Sequence, residues 1–124
     1  MAAYLNDRVY DNGLTVLDTE ASHLYINSTQ ATTYTEAITT YALGVKATPS
    51  VSAPAAKAGG GREVTVSAIT DGTVSANGTA GFYSLVDSSN TRLLAAGPLS
   101  ATQAVTSGNT FTLTSFKIGV PGPA

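Results

Sequence analysis

Apolar and polar positions alternate most regularly in the second half of the chain. Glu63-Val64-Thr65-Val66-Ser67-Ala68-Ile69 has the two-residue period of a half-buried strand. Asp71-Gly72 follows as a two-residue hairpin turn, whose central positions favour positive φ, and Thr73-Val74-Ser75-Ala76 begins the return strand. Asn77-Gly78 marks a second turn or bulge ahead of Ala80–Val86, the most apolar and aromatic run. Asp87-Ser88-Ser89-Asn90 is turn chemistry, Thr91–Ala96 pairs with the preceding run, and Gly97-Pro98 closes that strand. Ser100–Val105 is a weaker strand candidate, and Ser107-Gly108-Asn109 turns the chain into Thr110–Ile118. In this last run Phe111 and Leu113 share one face, whereas Phe116 and Ile118 fall on the other unless a bulge near Ser115 restores the phase. Phe82, Leu85, Leu93, Phe111 and Leu113 are the expected core.

The first 46 residues are mixed. Ser22–Asn27 alternates like a strand, with Leu24 and Ile26 on one face. Thr33-Tyr34-Thr35-Glu36 has the spacing of a capping box, predicting two helical turns over 37–43 with Gly44 as the stop. Residues 47–61 read ATPSVSAPAAKAGGG, too poor in bulky apolar side chains to bury much surface, and are expected to form an extended loop or arm. The Gly59-Gly60-Gly61 tip lacks the Lys-Ser/Thr of a phosphate loop and reads as a hinge. Residues 120–124 form a Pro-rich tail. The expected whole is one domain, mainly β: an antiparallel β-sandwich or barrel over 62–119, with 1–46 packed on the sheet, one short helix and the arm.

Composition narrows the chemistry. Of 124 residues, 19 are Thr and 12 Ser, and only 11% are charged against a usual figure of about 25%. The absence of Cys excludes a disulfide framework, a Cys-based zinc site and a thiol nucleophile. Six scattered Lys and Arg make no basic patch for nucleic acid, and no apolar run is long enough to span a bilayer as a helix. The amino terminus has neither the basic start nor the apolar stretch of an export signal, so synthesis in the cytoplasm without secretion through a cleaved signal is expected. His23, the single imidazole, has Ser and Asp neighbours to draw on but no motif that selects any of them. Asp7, Asp11, Asp18 and Glu20 offer oxygen ligands, yet Asp11-Asn12-Gly13 lacks the correctly spaced bidentate Glu of a calcium loop. We therefore expect no catalytic, metal or cofactor site, and no enzyme.

A chain of strands, hydroxyls and a small-residue arm fits a structural or binding role. Tyr25, Tyr34 and Tyr41 are candidate interface residues, since tyrosine joins apolar area to a polar tip. In the arm and tail, Pro49, Val51, Pro54, Pro121 and Pro123 would gain order against a partner's preformed surface.

Ala3–Ala21 (AYLNDRVYDNGLTVLDTEA) resembles the start of small proteins encoded in tailed-phage structural gene clusters. Thr32–Ala37, Thr40–Gly44, Gly61–Val66 and Ser107–Leu113 are similar to the same group, while the arm looks variable. That group is associated with capsid decoration (cement) proteins and other minor virion components; its motifs are not catalytic and carry over no functional residue. The resemblance implies a β-rich decoration protein on the outer surface of a phage head, a homotrimer by preference, bound non-covalently to the major capsid protein at capsomer junctions. The competing expectation is a receptor- or glycan-binding module of a tail fibre or head spike that uses the tyrosines.

Overall fold

The computed structural model describes residues 7–120, without the side chains of residues 7–11 and Ser100. It is mainly β, an antiparallel sandwich that does not close into a barrel. Helix α1 (Asp7–Glu20) leads into β1 (His23–Asn27), a single π-helical turn (Glu36–Thr40) and β2 (Ala42–Ala47). Strands β3 (Ala55–Ala56), β4 (Arg62–Val66), β5 (Ile69–Val74), β6 (Gly78–Asp87), β7 (Arg92–Val105), β8 (Thr110–Leu113) and β9 (Phe116–Val120) follow. One sheet has the order β7-β6-β1-β2-β5-β8 and the other β3-β4-β9.

Two bent strands join the sheets. β4 pairs with β9 from Arg62↔Val120 to Val66↔Phe116, and the same register carries across the corner to Ile69↔Leu113 between β5 and β8. The corners are Ser67-Ala68 on one strand and Thr114-Ser115 on the other. A strand that changes sheets must change which side chains point inward. Val64 and Val66 are therefore buried before the first corner and Ile69 after it, while Phe111 and Leu113 give way to Phe116 and Ile118 after the second. The phase slip at Ser115 visible in the sequence is this corner.

The main core lies between the sheets and under α1, which contributes Leu14 and Leu17, three residues apart on one helical face. Leu24, Ile26, Leu43, Leu85 and Val105 face it from the large sheet, Val64 and Val66 from the small one. Its largest fully buried side chain is Phe111. The Phe111 ring covers two glycines of neighbouring strands: a Cβ on Gly72 would overlap it, and one on Gly44 would lie 3.1 Å from Cδ1 and 2.7 Å from the Thr73 carbonyl oxygen.

Four expectations are corrected. Asp71-Gly72 is not a hairpin turn but lies within β5, where Gly72 opposes Phe111. Gly44 does not stop a helix: residues 37–43 form one π turn and then enter β2, because Tyr41 N–H reaches back to the Glu36 carbonyl and the β-branched residues favour strand. Gly97-Pro98 does not end a strand; both lie inside β7, an edge strand that tolerates proline's missing donor. Phe82 is only half-buried and Leu93 packs on the opposite face of the sheet, so neither belongs to the main core. Helix α1 was not expected, since Asn12-Gly13 and the β-branched Thr15 and Val16 all weaken a helix. No helix of the described residues is long and apolar enough to cross a membrane.

Truncating Phe111 to Ala is expected to cost about 3–5 kcal/mol and Gly72→Ala about 1–3 kcal/mol. Because the two act on one contact, Gly72→Ala should cost markedly less in a Phe111→Leu background; chemical denaturation of the four proteins checks this coupling.

Candidate functional site

Three regions carry the residues of interest: the outer face of the large sheet, one end of the small sheet, and an open cleft at the far end of the sandwich.

On the outer face, Tyr25 stands opposite Ser84, with its strand neighbours Leu24 and Ile26 pointing into the core. Residues 28–41 fold over this face as a lid. Ala31, Ala37 and Val86 form a second buried cluster, and Tyr25, Tyr34, Ile38, Tyr41 and Leu93 pack around it half-buried. The fold thus brings the three candidate tyrosines together, as the rim of a small apolar cluster. Asn27 holds the lid down: its Nδ2 donates to the Ala37 carbonyl at 2.9 Å and its Oδ1 accepts from the Ser84 hydroxyl, all fully buried. The cap at the start of the lid turn is shifted from the expected box. Thr33 Oγ1 accepts from Glu36 N–H as expected, but the Glu36 carboxylate returns to Thr32, accepting its N–H at 2.9 Å and its hydroxyl at 2.8 Å. The Thr32 N–H, then its hydroxyl, hold the Glu36 carboxyl below its ordinary range. Burial, with a smaller contribution from Tyr34, raises the Tyr25 phenol.

His23 Nδ1 lies 2.9 Å from the Ser22 hydroxyl, which accepts the Ser88 N–H at 2.9 Å and so ties the β6–β7 turn to the start of β1. Asp11-Asn12-Gly13 lies within α1 and forms no loop, Glu20 faces Arg92 at 3.9 Å, and no group of three potential metal ligands occurs among the described residues.

The arm is laid along β4. Ser52 N–H donates to the Thr65 carbonyl, Ser67 N–H to the Ser50 carbonyl, and Val51 bridges Val66. Pro49 is buried, Val51 packs against the main core, and Pro54 is half-buried. Gly59, Gly60 and Gly61 all take positive φ (85°, 107° and 93°), and the Lys57 N–H donates to the Gly61 carbonyl. The expected hinge is therefore a tight turn that only glycine makes without strain. Arg62 pairs with Ala56 on one side and Val120 on the other, so this turn and the end of β9 lie side by side. Pro121 and Pro123 fall outside the described residues.

The cleft, of about 290 Å³, was not read from the sequence. Tyr83 and Phe116, with ring centroids 4.4 Å apart, line it with Leu99, Gln103, Thr114 and Ser115. It opens because β7 bulges: four residues, Leu99–Thr102, face the single residue Gly81 of β6. Glycines at 81 and 97 inside an otherwise strong strand pattern were the available signal, since strand glycine marks bulges and close approaches.

Compared with protein-family models, curated proteins and solved structures, the chain matches none.

Asn27→Ala is expected to leave the Ala37 carbonyl and the Ser84 hydroxyl buried without partners, lowering stability by about 1–3 kcal/mol and speeding amide exchange selectively across 31–41. For Glu36, a carboxyl held low in the fold stabilises the lid fully above its ordinary range, and that contribution disappears as pH falls through the lowered value. The protection of the Thr32 amide, measured against its intrinsic exchange rate at the same pH, should fall on acidification, and Glu36→Gln should flatten that dependence.

Proposed function

We propose that this chain is a virion structural protein that decorates the outer surface of a tailed-phage capsid through non-covalent contacts, with the major capsid protein and further copies of itself as partners. The reading rests on the phage-like sequence segments. The observation that carries it structurally is the convergence of arm and β9: the glycine turn and Val120, the one large hydrophobic more than a third exposed among the described residues, flank β4 at the same end of the small sheet. That end offers small side chains, with the Lys57 stem over Gly119, and, on β3 and β9, strand edges that have no neighbouring strand among the described residues.

Lys46 is paired with Asp71 and Lys117 with Glu63, each at 3.0 Å, so these cations are already engaged within the chain. A lattice that offers the same docking surface many times over supplies what such an edge needs to stay ordered.

Labelled protein is expected on heads in images of purified particles. Particles lacking it should open at lower temperature while adsorbing to cells normally; a label on the tail together with failed adsorption would instead establish the receptor-binding reading. Replacing Lys57–Gly61 with Asn-Gly should leave the domain folded by circular dichroism and sharply reduce its occupancy on heads.

A further inference from the structure

The cleft at the far end of the sandwich has no part in that attachment. We propose that it is a binding site for a neutral saccharide, one sugar ring seated on the Tyr83–Phe116 pair.

The floor and rim match the two chemistries of a pyranose. One face of such a ring is a patch of C–H groups, which packs on an aromatic face, while its edge carries hydroxyls that need donors and acceptors. The tilted pair of Tyr83 and Phe116 provides the aromatic surface. Tyr83 is held in place from below, since its ring lies across Gly97, where a Cβ would come within 3.1 Å of the phenol oxygen. The rim is polar and oriented. Gln103 Nε2 donates to the Thr112 carbonyl at 2.8 Å, which fixes the carboxamide and leaves Oε1 as an acceptor. Thr114 and Ser115 sit at the strand corner, outside both ladders. Burial raises the Tyr83 phenol above its ordinary range.

What the cleft excludes narrows the ligand further. No charged side chain lines it among the described residues, and a charged ligand would lose hydration without a counter-ion. The Gln103–Thr112 bond spans the gap between β7 and β8, so an extended peptide cannot run through as an added strand. A volume of about 290 Å³ is at the lower limit for small-molecule pockets and suits a ligand of one or two rings. The bulge opposite Gly81 creates this space, and bulges recur beside binding sites because they re-aim side chains.

The test is a titration of the isotope-labelled protein, followed by amide NMR, with methyl β-glucoside, methyl β-galactoside, N-acetylglucosamine and maltose. At least one is expected to give saturable, millimolar shifts centred on Tyr83, Gln103 and Phe116. Gln103→Ala should weaken that binding by about fivefold, the worth of one hydrogen bond. Ala101→Arg, on the exposed lip, should abolish it with the thermal midpoint unchanged. Tyr25→Phe, on the opposite face, should leave it intact. The proposal is overturned if none of the four sugars gives saturable shifts in the cleft or if the shifts survive Ala101→Arg. It also fails if a neutral tripeptide amide moves the same residues and the sugars do not.

Discussion

The Phe111 ring lying across Gly44 and Gly72 ties three strands of the large sheet together. Phe111 belongs to β8, the outermost strand of the large sheet, yet its ring reaches over β5 and onto β2. That reach is open only because neither strand carries a side chain beneath it, and close packing leaves little tolerance for an added carbon. β5 and β8 are also the strands that bend through the corners into β4 and β9, so the ring sets the register of a ribbon shared by both sheets. A slip of one residue would turn Ile69 and Leu113 outward and would uncover Val64 and Val66 at the same time.

The outer face of the large sheet is organised differently. There the apolar cluster is small, and polar groups fix the chain above it: Asn27 and Ser84 beneath the lid, Thr32 with Glu36 at its turn, Ser22 with Ser88 at its border. A chain with a quarter of its residues Ser or Thr and few charges can specify a surface this way, because each hydroxyl both donates and accepts over a short reach. The ion pairs Lys46–Asp71, Arg92–Glu20 and Lys117–Glu63 lie at exposed or partly exposed positions, where such pairs contribute little.

The β architecture was legible because alternation is a direct consequence of pleating: Leu24 and Ile26, Val64 and Val66, and Phe111 and Leu113 all point where their period places them. Glycine was misread wherever it served packing. Gly44 and Gly72 carry the same local signals as a helix stop and a hairpin turn, and only the distant Phe111 distinguishes a residue that must turn from one that must be small. Half of the capping pattern at Thr33 was real, yet the fold overrode the helix it introduces, since Ala42 and Leu43 enter β2 and find partners there that a second helical turn would withhold. The three tyrosines were visible as candidates, but their placement around Ala37 and Val86 depends on a buried bond from Asn27, which no local pattern announces. The cleft was hidden for the same reason: Tyr83, Gln103 and Phe116 lie on three different strands.

The cleft and the open form of the sheet have one origin. The large sheet curls until its two edge strands, β7 and β8, are a single side chain apart, and the Gln103–Thr112 bond replaces the ladder that would complete a barrel. Two features of β7 prevent closure. Pro98 has no N–H to offer, and the three extra residues opposite Gly81 throw the next stretch out of register. Both also make the edge a poor template for another chain, as unpaired edges in stable β proteins must be. Where closure fails, the inner face can be covered only by large side chains, and Tyr83 and Phe116 meet there. Their rings seal the core from one side and face solvent through the gap from the other, so the aromatic floor of the cleft is the core's own boundary.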